Sequence, residues 1–216
     1  MKFLLTPDGR VTIGVAILTL FFLSLAVMNW HSERLADTSR GQGLLPGFSS
    51  AEAIGNHAVF LGKPSNSYTL VEFGDYQCPP CREQNRELHD VMTKYHDKIR
   101  FTFRNLPLTN IHPLAMTAAI IAEEARTEGD FWAVHDILYS GENLNDTTLA
   151  KARAVIVGND QRRRSLASDA TGVVKVDMAD AKRLGIRETP TFILCSPSNK
   201  LYCIHSLLKL DQVLSN

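Results

Sequence analysis

The motif C-P-P-C, from Cys78 to Cys81, constrains this chain more than any other feature of its sequence. An apolar run at Tyr68–Phe73, which favours a β-strand, precedes the motif, and a helical pattern follows it to about His96. Proline is favoured at the first position of a helix, because an N–H group there would have no hydrogen-bond partner within the helix. We therefore expect Cys78 at the N-terminus of a helix and Cys81 one turn further on, close enough to form a disulfide.

This placement gives the two sulfur atoms different chemistry. Free N–H groups and the partial positive charge of a helix N-terminus stabilise a thiolate, so Cys78 is predicted to be the exposed, reactive sulfur. Cys81 is predicted to be its buried resolving partner. A purely structural disulfide is an awkward alternative at a helix start. A zinc site would need two more ligands, and the sequence contains no second C-x-x-C and no H-x₃-H.

The N-terminal region predicts export. Val11–Met28 is an uncharged, apolar run of 18 residues, about the minimum for a membrane-spanning helix, and Lys2 and Arg10 precede it. We predict a cytoplasmic segment at 1–10 and a transmembrane signal-anchor at 11–30; a signal peptide cleaved near Ala26 is the alternative. Either one places the rest of the chain in the periplasm or another extracytoplasmic compartment, where disulfides persist.

The remaining chain has the pattern of an α/β domain. Residues 31–57 are polar and rich in glycine, which indicates a tether with a short helix at Ser50–Gly55, and the domain is predicted at 58–216. The predicted strands are Ala58–Leu61, Tyr68–Phe73, Ile99–Asn105, Thr191–Cys195 and Leu201–His205. A mostly helical block at 113–185 forms an insertion between the third and fourth strands, and Leu207–Leu214 closes the chain as a helix. This order predicts a mixed sheet.

Three stretches of this domain resemble the DsbA-like branch of the thioredoxin superfamily. They are LVEFGDYQCPPC; FTFRNLPL, followed by HPLAMTAAIIAEEA and FWAVHDIL; and LGIRETPTFIL. Together they cover about Tyr68 to Leu214 in the family's order. The resemblance implies a thioredoxin fold and a thiol–disulfide oxidoreductase activity that uses neither a cofactor nor a metal.

The resemblance also implies roles for individual residues. Cys78 matches the nucleophilic cysteine and Cys81 the buried one. Thr189 and Pro190 match the family's cis-proline pair, which would face Cys78 and expose backbone groups to an extended substrate. Glu72 matches a buried acid that helps to move the proton of the buried cysteine, although strand alternation alone leaves a position facing solvent equally open.

A second cysteine pair lies near the C-terminus. Cys195 and Cys203 are equidistant from Asn199, which we take as the middle of the hairpin loop, so they should lie opposite each other. A structural disulfide is predicted, with two free thiols as the alternative. His112 is assigned to helix capping and His135 to the core, neither with a catalytic part.

These features define the predicted function. The chain should catalyse disulfide formation in cysteine-containing exported proteins bound in extended form, with a membrane redox partner that is a quinone-linked oxidant. An electron-donating partner would make it a reductase or an isomerase instead, and this stays open because the C-P-P-C motif lacks the histidine of the strongly oxidising type. A peptide- or metal-binding module without catalysis is the remaining alternative. The 23 basic and 23 acidic side chains give zero formal charge, which argues against nucleic-acid binding.

Overall fold

The computed structural model of this protein describes residues 20, 22–24, 42–45, 47–65, 67–156, 160–210 and 214, with the side chains of 42–44, 160–165 and 209 left out. The chain divides into two units, Met1–Gly43 and Leu44–Asn216. In the first unit, Leu20 and residues 22–24 are helical. The rest of the predicted segments at 1–10 and 11–30 lies outside the described residues. Within the described ranges, no helix combines the length and the apolar character that crossing a membrane requires.

The structure has five strands and six α-helices among its described residues. In chain order they are β1 (Gln42–Leu44), α1 (Ser50–Ile54), β2 (Tyr68–Gly74), α2 (Pro79–Lys94), β3 (Ile99–Asn105), α3 (Ala115–Glu128), α4 (Phe131–Tyr139), α5 (Asp146–Val155), α6 (Asp160–Arg183), β4 (Thr191–Cys195) and β5 (Leu201–Ile204), followed by a 3₁₀ turn at Leu207–Lys209. The helices α3 to α6 therefore separate β3 from β4, as predicted. The predicted C-terminal helix at Leu207–Leu214 begins as this 3₁₀ turn; Leu210 and Leu214 are helical, and 211–213 lie outside the described residues.

The sheet is mixed, as the sequence predicts. In the second unit its strands lie in the order β5-β4-β2-β3: β2 runs parallel to β3 and antiparallel to β4, and β4 runs antiparallel to β5. The N–H group of Leu45, directly after β1, donates to the carbonyl of Leu201 in β5 at 3.1 Å. The result is a thioredoxin-like α/β fold in which β2 is an inner strand that leads directly into the cysteine motif.

The first predicted strand, Ala58–Leu61, is wrong. Only Leu61 pairs, through an isolated antiparallel bridge to Phe101 with both hydrogen bonds at 2.8 Å. Directly after this bridge the chain turns at Gly62, whose φ is +102°. This left-handed region is open to glycine at little energetic cost.

The core lies on both faces of the sheet. On one face, Leu70 and Phe192 pack with residues of α2, α3, α4 and α5; on the other, Val71 and Phe73 pack with α1 and the last turns of α6. Ala53, in the range predicted as tether, is fully buried in this second cluster. The boundaries 31–57, 58–216 and 113–185 stay predictions. Because both faces are covered, the residues of β2 from Thr69 onward are buried on whichever face their side chains lie.

Candidate active site

Cys78 is the N-cap residue of α2, and Pro79 takes the first helical position, as predicted. The N–H group of Cys78 donates to the Asp75 carbonyl at 3.1 Å, which closes a turn between β2 and the helix. The carbonyl of Cys78 accepts from the N–H group of Arg82 at 3.2 Å, which begins the helical hydrogen bonds. This arrangement leaves Cys81 in the first turn of α2, next to Cys78.

The two cysteines are both buried thiols. Cys78 is 4% exposed and Cys81 is fully buried. The expectation of an exposed Cys78 is therefore wrong in degree, because the Thr189 carbonyl packs against its sulfur at 3.4 Å. Cys78 is nevertheless the more accessible of the two.

The pKa of Cys78 is lowered to about 6, mainly because the Cys81 thiol donates a hydrogen bond to the ionised sulfur. Hydrogen bonds from the Thr189 side chain and from the Cys81 backbone N–H group act in the same direction. The Thr189 hydroxyl is buried without a hydrogen-bond partner, so it is available to donate to the sulfur when the sulfur is ionised. Burial and the charge of Asp75 oppose this effect. Cys78 is thus mostly a thiolate at neutral pH.

Cys81 has the opposite tendency. Burial raises its pKa far above the usual value of a thiol, and the hydrogen bond to Cys78 and the charge of Glu72 add to this. Cys81 therefore stays protonated, and its S–H group donates a hydrogen bond to the Cys78 sulfur. The sulfur pair consists of one stabilised thiolate and one thiol, which is the division of labour that the sequence predicts.

Glu72 lies in the middle of β2, between Phe103 of β3 and Phe192 of β4. Its side chain is fully buried and neither carboxyl oxygen has a hydrogen-bond partner. Burial raises the pKa of Glu72 to about 8, with a smaller contribution from the charge of Cys78. The solvent-facing alternative is excluded, because helices cover both faces of the sheet. Glu72 is thus a neutral acid at pH 7.

The peptide bond between Thr189 and Pro190 is cis, as expected from the resemblance. Pro190 is buried and directly precedes β4, whose first residue, Thr191, pairs with Phe73 of β2. The turn therefore lies at the same end of the sheet as the N-terminus of α2. This position brings the Thr189 carbonyl to the Cys78 sulfur.

Two residues at this site were not assigned to it from the sequence. The imidazole Nδ1 of His112 lies 2.7 Å from the carboxylate of Asp75, three residues before Cys78. Arg82 is 5% exposed, and its guanidinium donates to the carbonyls of Tyr76, at 2.9 Å, and of Leu138 and Ser140, both at 3.3 Å. Its position directly after the motif was the available signal, but a charged residue on a helix is usually exposed. It connects the loop before Cys78 to the end of α4.

The predicted disulfide between Cys195 and Cys203 is wrong. All four cysteines are free, and Cys195 pairs with Leu201 while Cys203 pairs with Ile193. The loop is centred one residue before Asn199, which offsets the two cysteines by two positions. Diagonal neighbours on adjacent strands are too far apart for a disulfide. Burial raises the pKa of Cys195 to about 12 and that of Cys203 to about 11.

In the part of the chain that the structure describes, no three His, Cys, Asp or Glu side chains converge as metal ligands would.

Comparisons with known proteins agree with this architecture. A family model described as thioredoxin matches residues 55–195. A thioredoxin-like oxidoreductase from Silicibacter pomeroyi DSS-3 has a TM-score of 0.65 at 23% identity, over 78% of this chain and 96% of its own. DsbA2 from Pseudomonas aeruginosa has a TM-score of 0.58 at 21% identity, over 74% of this chain and 92% of its own.

A similarity of another kind concerns curated proteins named as Na⁺/H⁺ antiporters. One of them, NhaA 1 from Salinispora arenicola, is 36% identical over 130 residues, which are 58% of this chain and 20% of the antiporter. The chain spans only about a fifth to three tenths of the length of such relatives. The similarity therefore concerns a minor part of those proteins.

Proposed function

Because the chain belongs to the thioredoxin family, we propose that it is a thiol–disulfide oxidoreductase that forms disulfides in exported proteins through Cys78 and Cys81. The observation that carries this proposal is the opposite behaviour of the two sulfurs. The pKa of Cys78 is lowered to about 6, whereas that of Cys81 is raised by burial. Such an asymmetric pair is suited to disulfide exchange, and two free thiols do not cross-link the fold.

The reaction begins with the Cys78–Cys81 disulfide. A substrate thiolate attacks the Cys78 sulfur, a mixed disulfide forms, and the Cys81 sulfur leaves with the electron pair of the broken bond. We propose the neutral Glu72 carboxyl, which has no direct hydrogen bond to Cys81, as the source of the proton for this sulfur, which is too deeply buried to stay charged. The second substrate thiolate then attacks the substrate sulfur of the mixed disulfide, and Cys78 leaves as the stabilised thiolate. The substrate has lost two electrons, and the enzyme holds them as two reduced sulfurs.

The substrate is proposed to be a cysteine-containing segment in extended form. The turn at Thr189 and Pro190 lies against Cys78 and presents backbone groups beside the reacting sulfur. An extended chain can pair with such groups while its own cysteine reaches the site. This mode of binding contacts the main chain of the substrate more than its side chains, and it is therefore compatible with many client proteins.

The proposed direction of electron flow rests on the stabilised Cys78 thiolate. A stabilised thiolate favours the reduced enzyme and so makes the disulfide form more oxidising. The pKa of about 6 for Cys78 lies between the values of about 7 in thioredoxin and about 3.5 in DsbA. We therefore propose an oxidase of moderate strength, and this intermediate value is also the observation that favours a reductase or isomerase as the second candidate.

Turnover requires a redox partner in the membrane. A quinone-linked oxidant would restore the disulfide of an oxidase, and an electron donor would keep a reductase reduced. The signal-anchor predicted at 11–30 would hold the domain at the extracytoplasmic side and raise its effective concentration at such a partner. Sodium–proton exchange is not part of the proposal, because the chain spans so little of the antiporters that it resembles.

The test is the redox equilibrium of the pair in glutathione buffers, measured on the full chain with Cys78→Ser as the inactive control. A potential nearer to the about −120 mV of DsbA than to the about −270 mV of thioredoxin supports the oxidase. A potential near that of thioredoxin selects the reductase. If Cys78→Ser exchanges disulfides as fast as the wild type, the proposed function is wrong.

A further inference from the structure

We propose that His112 is a positioning residue for the reaction: as an imidazolium it offsets the charge of the buried Asp75 carboxylate and so stabilises the Cys78 thiolate. The inference rests on the proposed function, since it concerns the same reactive sulfur. It adds to that function a second, proton-dependent control of the thiolate, supplied by the loop between β3 and α3.

The geometry starts from Asp75, which occupies the turn between β2 and α2. Its carboxylate is fully buried and accepts three hydrogen bonds: from the N–H of Gln77 at 2.7 Å, from the N–H of Leu108 at 2.8 Å and from His112 Nδ1 at 2.7 Å. Its backbone carbonyl accepts from the N–H group of Cys78. Whatever fixes Asp75 therefore also fixes the start of the helix that carries the reactive cysteine.

The loop that carries His112 is attached to this turn at both ends. Leu108 binds Asp75 through its N–H group, and the N–H of Leu114 donates to the Gln77 side chain at 2.7 Å. The His112 side chain itself is 15% exposed, whereas its carboxylate partner is not exposed at all. His112 can therefore exchange a proton with solvent while Asp75 cannot reach solvent.

The electrostatic argument follows from these contacts. The Asp75 carboxylate only accepts hydrogen bonds, so Nδ1 of His112 carries a hydrogen in both charge states of the ring. A second proton on Nε2 makes the ring a cation at short range from a buried anion, where charges interact more strongly than in water. The charge of Asp75 raises the pKa of Cys78. Offsetting that charge therefore favours the thiolate.

Other charged or titratable groups around Cys78 do not vary between pH 5 and 7. Glu72 of β2 has a pKa of about 8 and is mainly neutral in this range, and the pKa of Cys81 of α2 is raised, so Cys81 remains a thiol. The Arg82 guanidinium keeps its charge throughout and is bound to backbone carbonyls. The residue from the β4 side, Thr189, does not ionise. His112 is the titratable group that binds the Asp75 carboxylate directly.

The experiment compares His112→Asn with His112→Ala in the reduced full chain. The asparagine Nδ2 group can donate to Asp75 as His112 Nδ1 does, but it carries no charge. Thiolate absorbance near 240 nm gives the pKa of Cys78. Both variants are expected to raise it by about half a unit or more, which about halves the thiolate fraction at pH 6. The equilibrium with glutathione at pH 7 should shift about two- to threefold toward the oxidised pair.

The matched control is His96→Asn, which removes the imidazole of an exposed His–Asp pair at 3.0 Å beyond the far end of α2. It should leave the titration of Cys78 unchanged. In an Asp75→Asn background, the effect of His112→Asn should disappear, because there is no charge left to offset. Circular dichroism confirms that each variant is folded before it is titrated.

Three outcomes overturn the inference. In the first, the pKa of Cys78 is unchanged in His112→Asn but raised in His112→Ala. This result would mean that the hydrogen bond acts without the charge. Two folded variants with an unchanged Cys78 would mean that His112 has no part in the reaction. An effect that persists in the Asp75→Asn background would mean that it does not act through Asp75. An ordinary thiol at Cys78 in the wild type would instead contradict the proposed function itself.

Discussion

Replacing Glu72 by glutamine should remove the loss of stability that this buried carboxyl imposes as the pH rises. The folded protein holds this carboxyl fully buried and without a hydrogen-bond partner, and its pKa rises from the usual 4.5 to about 8. A group whose pKa is raised by folding stabilises the protein fully below its unfolded pKa, and this stability is lost as the pH rises through the folded value. The window is therefore pH 4.5 to about 8.

The magnitude follows from the difference between the two pKa values. At about 1.4 kcal/mol for each pKa unit, ionisation of Glu72 alone costs the folded protein about 4 kcal/mol between pH 4.5 and 8, and about 3 kcal/mol of it by pH 7. Glutamine does not titrate and resembles the neutral carboxyl in size. Glu72→Gln should therefore be about as stable as the wild type at pH 4 and more stable by several kcal/mol at pH 8.

The assay is urea unfolding at half-unit steps from pH 4 to 9, followed by circular dichroism. The exposed Glu83 on α2 is the matched control, since Glu83→Gln removes the same charge at the surface. The Cys78→Ser background removes the thiolate, whose lowered pKa gives a slope of opposite sign above pH 6, and so isolates the contribution of Glu72. The same pH slope in Glu72→Gln and in the wild type would refute the argument, because Glu72 would then be ionised or solvated in the folded protein.

Further substitutions test the frame of the site. Gly74→Ala should destabilise the protein by about 1–3 kcal/mol in thermal unfolding, because a Cβ atom there collides with the buried Phe103 ring; an unchanged melting temperature would contradict this close approach. Arg82→Met should destabilise it by about 2–4 kcal/mol, because three backbone carbonyls, of which those of Tyr76 and Leu138 are buried, lose a charged donor, while the exposed Arg86→Met serves as control. Cys203→Ser should leave the rate of insulin reduction within about twofold of the wild type, since a thiol with a pKa of about 11 is rarely ionised; a large loss would reveal a second redox centre.

Local patterns predicted the part of the site that is local in the chain. The strand before the motif, the proline at the first helical position and the place of Cys78 all follow from contiguous residues, and the structure has each of them. Strand alternation alone did not decide whether Glu72 is buried or faces solvent, because a period of two cannot show whether the second face of a sheet is covered. That depends on α1 and α6, which pack from far along the sequence.

The features that the sequence did not reveal depend on register and on distant contacts. Placing the centre of the hairpin loop one residue too late moves the partner of Cys195 by two positions, from Leu201 to Cys203. The Asp75–His112 pair joins residues 37 apart, and no short-range pattern distinguishes it from helix capping. In both cases the helices and strands are predicted correctly, and the residue that a given side chain contacts is not. Partners are set by packing, which leaves no periodic trace in the sequence.

The burial of Glu72 links the stability of the fold to the chemistry of its site. An unpartnered carboxyl inside the sheet opposes folding at neutral pH, and a glutamine or a leucine at this position would remove that opposition. The same burial keeps a proton available at pH 7 beneath a sulfur that cannot remain charged when it leaves. A variant that gains stability here should therefore lose the rate of the step that releases Cys81. That trade-off ties both effects to one carboxyl group, and neither can be changed alone.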